Sequence, residues 1–208
     1  MVEWVPRLAD IPGVAYVGSS TVNRSRIPGY SAQPQVEVYA FDGKRRETLY
    51  WPSTQGKTSA SPAKQHASNT ANVKSESSKV ILKRLYETLE LPGEPIDYHF
   101  AIQGCVDELW SWKRRRLEPV LLSTIEQLCW LDIRLIEAMP HIIAYDHRGE
   151  QRYYGVTAFG HLIELYEREG FLADALDVAR RASRFNPQFP KLQELEQRRA
   201  RVLAEANG

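Results

Sequence analysis

Long apolar runs are missing from this sequence, and so is an excess of charge of either sign. No stretch approaches the ~18–20 apolar residues that cross a bilayer. The opening Met1-Val-Glu-Trp-Val-Pro-Arg7 has no basic lead into an apolar segment, so neither a membrane span nor a secretory leader is expected. Lys and Arg number 27 against 26 Asp and Glu. The chain as a whole therefore exerts no pull on nucleic acid or on an anionic membrane, and any such attraction has to come from a local patch.

Cysteine is scarce. Cys105 and Cys129 are the two present, without Cys-x-x-Cys spacing and among apolar helical positions. That pattern predicts buried free thiols in a reducing, cytoplasmic setting. The histidines (His66, His99, His141, His147 and His161) make no His-x-x-x-His or His-Glu pair, so no metal or cofactor site is expected. A Gly-x-Ser-x-Gly elbow is lacking too, and no catalytic residue is assigned. Gln55-Gly-Lys-Thr58 resembles the end of a phosphate-binding loop, but Trp51 stands where its first glycine is required and no helix-forming run follows.

What is present is a chain with two differently built halves. Hydrophobic residues make up 43% of 208, enough for a packed core. Val14-Ala-Tyr-Val17 is a short strand candidate, and Asn23–Pro34 reads as a loop. Val36–Phe41 and Lys44–Trp51 flank Asp42-Gly43, which predicts a hairpin because both residues of a type I′ turn need positive φ. A two-residue loop would set Phe41 opposite Lys44 and Tyr39 opposite Arg46, cations beside aromatic rings on one sheet face. Residues 53–77 are rich in Ser, Thr, Ala and Lys; they bury too little to offset ordering entropy and read as a flexible linker.

From Ser78 the apolar period is helical. Ile81, Leu82, Leu85, Tyr86 and Leu89 form one stripe that Pro92-Gly93 ends. Tyr98, Ile102, Cys105, Val106 and Leu109 form the next, through to about Trp112, and a third helix runs from Pro119 to Met139. That third helix is apolar round most of its circumference, which predicts a central position. Asp132 sits in its apolar stripe and needs a partner or a raised pKa. Residues 142–154 suggest a small hairpin or an irregular excursion, two more helices follow, and Pro190 opens a last amphipathic one. The expected architecture is α+β, mostly α: an N-terminal β-hairpin module over 1–52, the linker over 53–77, and a helical domain over 78–208.

Within that domain, Phe159, Leu162, Tyr166, Gly170, Ala175, Ala179, Ala182 and Pro187 fall at fixed positions of a 34-residue window running from Val156 to Phe189. This window resembles a tetratricopeptide repeat. It departs from the pattern at Ile163, usually small, and at Ala179, often aromatic, and no second repeat registers one period earlier. The resemblance implies a helical hairpin with residues 190–206 as its capping helix. It also implies partner binding along the first helix, at Thr157, Gly160, Glu164, Glu167 and Arg168.

The leading expectation is thus a cytoplasmic, non-catalytic interaction or adaptor protein. A nucleic-acid-binding accessory or regulatory protein is the alternative, using Tyr39, Phe41, Lys44 and Arg46 with the basic run Lys113, Arg114, Arg115 and Arg116 beside Trp110 and Trp112. An enzyme built on Asp132 and His99 is a third reading, and it requires Asp132 to open onto a pocket beside a histidine.

Overall fold

The computed structural model describes residues 8–18, 22–23, 27, 35–41, 44–51, 60–71, 77–116 and 120–206, with the backbone alone at 35–49, 69–71, 112–116 and 120. Most of the expected loop over 24–34, the Asp42-Gly43 turn and the Gln55–Thr58 segment lie outside them. The protein is mostly α, with two separate two-stranded antiparallel sheets among the described residues. It is organised as two compact units, Met1–Ile143 and Ala144–Gly208, whereas the sequence reading draws its boundaries at 52 and 77.

In the first unit, β1 (Gln35–Phe41) pairs with β2 (Lys44–Trp51). Phe41 lies opposite Lys44, as the two-residue loop requires, but Tyr39 lies opposite Glu47 and not Arg46. The register shifts between Tyr39 and Ala40: a bulge adds one residue to the second strand, and every pairing beyond it moves by one. Val14–Val17 forms no strand. Without a neighbouring strand its alternation has nothing to pair with; Val14 is buried, Val17 is 90% exposed, and the Tyr16 hydroxyl donates to Glu90 Oε1 at 3.1 Å.

A helix, α1 (Pro62–Ala71), occupies part of the stretch expected to be a flexible linker. Contacts distant in sequence hold it. Ser61 caps it by accepting from the Lys64 amide at 3.0 Å, and the same hydroxyl donates to Asp97 Oδ2 at 2.7 Å. The Ala63 amide donates to the Pro92 carbonyl at 3.1 Å. Gly93 permits that approach, since a Cβ there would stand 2.7 Å from the Ala63 Cβ and 3.1 Å from the Tyr98 ring. Trp51 and Ala60 are buried together just before it.

Three long helices complete this unit: α2 (Ser78–Glu90), α3 (Pro95–Arg116) and α4 (Val120–Ala138). Ser77 caps α2. Pro95 opens α3 where its missing N–H costs nothing, and Asp97 accepts from the Glu94 amide at 2.9 Å. In α4 nine of the sixteen residues from Leu121 to Ile136 are buried, on more than one side of the helix. That burial fits its apolar circumference, but the central helix of the unit is α3, which packs against α1, α2 and α4 and buries ten of the sixteen residues from Pro95 to Trp110. A 3-10 turn, Pro140–Ile143, ends the unit with Ile142 and Ile143 buried.

The second unit begins with a hairpin, β3 (Ala144–His147) and β4 (Glu150–Tyr153). Arg148 and Gly149, at φ 58° and 82°, form its turn, the conformation a two-residue loop demands. Helices α5 (Thr157–Glu169) and α6 (Leu172–Ala182) form a helical hairpin, and α7 (Pro190–Ala206) packs against α6. The reversal depends on Gly170 at φ 83°, ψ 7°; its amide and that of Phe171 both donate to the Tyr166 carbonyl. Phe159 and Leu162 are buried on α5, Ala175, Ala179 and Ala182 on α6. Ile163 and Ala179, the two departures from the repeat pattern, are both fully inside.

Candidate functional site

Three places hold chemistry worth testing. The first is the row assigned to partner binding on α5. Gly160 is exposed, with nothing within 4 Å of where a Cβ would stand. Glu164 and Arg168 form an ion pair one turn apart, and Thr157 is half-buried at the start of the helix. Glu167 is set apart from this row: it reaches α7, where its carboxylate meets Lys191 at 3.4 Å and Arg198 at 3.2 Å. The structure thus brings Gly160, Glu164 and Arg168 together on the outside and uses Glu167 to fasten the last helix.

The second is a cleft of about 670 Å³ in the first unit. Lys64, Ala67 and Ser68 of α1 form one wall; Ile81, Arg84, Leu85 and Thr88 of α2 form the floor. The far wall is α3, from Ile96 and Asp97 through Phe100, Ala101, Gly104 and Cys105 to Glu108. Phe100 is 52% exposed there. Cys105 is a free thiol in this lining, and burial pushes its pKa well above the ordinary cysteine value, with Glu108 adding to the shift. It is therefore a neutral packing group and not a nucleophile.

The third is a buried pair. His99 Nδ1 lies 2.7 Å from Asp132 Oδ1, and neither side chain has any exposed surface. Among the described residues, His99 Nε2 and Asp132 Oδ2 have no hydrogen-bond partner. Burial raises the pKa of the Asp132 carboxyl above its ordinary value; the hydrogen bond and charge of His99 oppose this, and Asp107 adds to it. The enzyme reading required Asp132 to face a pocket. Asp132 does lie beside a histidine, but neither residue lines the cleft, and the pair serves to join α3 to α4.

The nucleic-acid alternative rests on residues whose side chains lie outside the described ones: Tyr39, Phe41, Lys44 and Arg46 in the first hairpin, and Lys113, Arg114, Arg115 and Arg116 in the last turn of α3. Their backbones are strand and helix respectively, and the bulge removes the Tyr39–Arg46 pairing on which half of the aromatic-basic face depended. Among the described residues no group of three His, Cys, Asp or Glu side chains is placed to hold a metal ion, and no helix is long and apolar enough to cross a membrane.

Comparison with family models, with curated proteins and with solved structures finds no match to this chain. The cleft is the feature sequence reasoning missed. Its one signal was Gly104, a glycine inside a helical stripe with no turn to make.

Proposed function

We propose that the protein is a non-catalytic interaction protein of the cytoplasm that takes up a protein partner along the outer row of α5. The α5–α6 hairpin carries this reading. Its apolar row is consumed inside the hairpin, closed by the reversal at Gly170 and the small Ala175, Ala179 and Ala182. That leaves Gly160, Glu164 and Arg168 facing outward, at positions where the resembling repeats hold partner peptides. A bare glycine beside a fixed ion pair offers a partner's backbone a close approach and two oriented charges.

The test is quantitative affinity capture with two charge-reversed variants. One carries Glu164→Lys and Arg168→Glu; the other adds Glu167→Lys. Recovery of the same partner should fall in the first variant, which leaves the Glu167 links to Lys191 and Arg198 in place. Equal recovery by both variants and by the unmodified chain would remove the α5 row from the account.

A further inference from the structure

We propose that α1 is an acid-released strap: it lies on α2 and α3 at neutral pH and comes away on mild acidification, with His66 as the trigger. Composition is the starting observation. Pro62–Ala71 reads PAKQHASNTA, with no Val, Leu, Ile or Met and no ring other than the proline and the imidazole. A helix of 10 residues is too short to hold its shape alone in water, so it exists by docking. It brings little apolar surface to the dock. An element held in that way opens separately from the core beneath it.

Polar ties take the place of apolar area. Ser61 Oγ donates to Asp97 Oδ2 at 2.7 Å, and the Ala63 amide donates to the Pro92 carbonyl at 3.1 Å. About one turn further along, His66 is buried in the seam with α2, its Nε2 3.5 Å from Glu87 Oε2. Lys83, one turn before Glu87 on α2, reaches the other oxygen of that carboxylate at 3.8 Å. Arg84 of α2, Lys64 of α1, and Asp97 and Glu108 of α3 line the adjoining cleft. Histidine is the side chain that ordinarily changes charge near neutrality, and α1 carries one.

Burial lowers the pKa of His66 below the ordinary value of 6.5; the charge and hydrogen bond of Glu87 oppose that shift without cancelling it. Above about pH 6.5 the imidazole is neutral whether α1 is docked or free, and the dock is at full strength. As the pH falls past that value, the free helix takes up a proton before the docked one does, and the balance moves toward release. Release carries off Lys64, Ala67 and Ser68, so the same event unmakes one wall of the cleft.

The test is amide hydrogen exchange of the full 208-residue chain at about pH 7.5 and about pH 5.5, read as protection factors so that the intrinsic pH dependence of exchange cancels. Protection over Pro62–Ala71 should fall by about threefold or more at the lower pH, while α4 keeps its protection. His66→Gln, which gains no proton, should remove the change. Glu87→Gln should enlarge it, because it takes away the charge that favours a protonated His66. Protection of α1 that holds or rises on acidification overturns the proposal. An equal fall in His66→Gln overturns it as well, since the trigger would then lie elsewhere. A smaller fall in Glu87→Gln does the same, because His66 and Glu87 would then be a pair that acid strengthens. Loss of protection spread evenly over α2, α3 and α4 also counts against it, since the strap would not be opening on its own.

Discussion

His99 and Asp132 stand 33 residues apart in sequence and 2.7 Å apart in space, both wholly inside the first unit. One comes from the first two turns of α3 and the other from the middle of α4. Their bond fixes how the two helices are rotated against each other. Through α3 it also fixes which residues face the cleft, since Phe100 follows His99 directly and its ring lies 5.0 Å from the imidazole.

Breaking this pair from one side should cost far more than replacing it. Asp132→Ala leaves the imidazole buried without its hydrogen-bond partner, and a loss of about 1–3 kcal/mol is expected. Asp132→Asn keeps a hydrogen-bonding group of the same shape and should lose only about 1 kcal/mol. Replacing both residues with leucine should cost less than Asp132→Ala alone. Urea unfolding of the three variants measures these differences.

The raised pKa of Asp132 also makes a signed prediction. In the unfolded chain its carboxyl titrates near 3.8. In the folded protein, burial holds the proton to higher pH, with Asp107 pushing the same way and His99 against it. Below about pH 3.8 both states are protonated and this contribution is fully present. As the pH climbs past that value, the unfolded chain binds fewer protons than the folded one, so stability falls until the folded group has titrated as well. Unfolding free energies from about pH 4 to about pH 7 should therefore decline for the unmodified chain relative to Asp132→Asn. A difference that grows the other way with pH would mean that Asp132 is ionised in the fold.

Three glycines should respond in opposite senses to the same change. Gly93→Ala drives a methyl to 2.7 Å from the Ala63 Cβ, and α1 has to move; a loss of about 1–3 kcal/mol is expected. Gly170→Ala meets open space but must hold φ at 83°, costing about 1 kcal/mol. Gly104→Ala meets nothing and lies in a helix, so it should gain up to about 1 kcal/mol. Thermal midpoints of the three variants, taken side by side, check the ranking.

Glu167 should prove a fastener of α7. Its two cations, Lys191 and Arg198, both lie on that helix. Glu167→Gln should lose at most about 1 kcal/mol, because these charges are partly in water, and the difference from the unmodified chain should shrink as salt is added. Hydrogen exchange along α7 should quicken in the variant while α2 to α4 stay unchanged.

Much of this architecture can be read from local pattern. The stripe Ile81, Leu85 and Leu89 fixes α2, the apolar circumference of α4 announces its depth, and Asp42-Gly43 marks the first hairpin. Gly170 with its three alanines marks the α5–α6 hairpin. The sequence hides whatever depends on distant contacts. Helix α1 is made of small and polar residues with almost no apolar period; Ser61 bonding to Asp97 and Ala63 lying on Gly93 hold it, and neither link is local. The bulge beside Tyr39 leaves no composition signal. Asp132 can be singled out from its stripe, and the third reading sets it with His99, but the sequence does not show that the two bond inside the core, away from the cleft. The cleft is built by three helices jointly, so no single stretch displays it.

The central claim, a partner held on the outer row of α5, is tested most directly by hydrogen exchange on the full chain with and without the partner recovered by affinity capture. Slowed exchange over Thr157–Glu169, lost again in the variant carrying Glu164→Lys and Arg168→Glu, is the predicted result. Protection confined to α1, α2 and α3, with α5 exchanging as in the free protein, would contradict it and leave the cleft as the site of recognition.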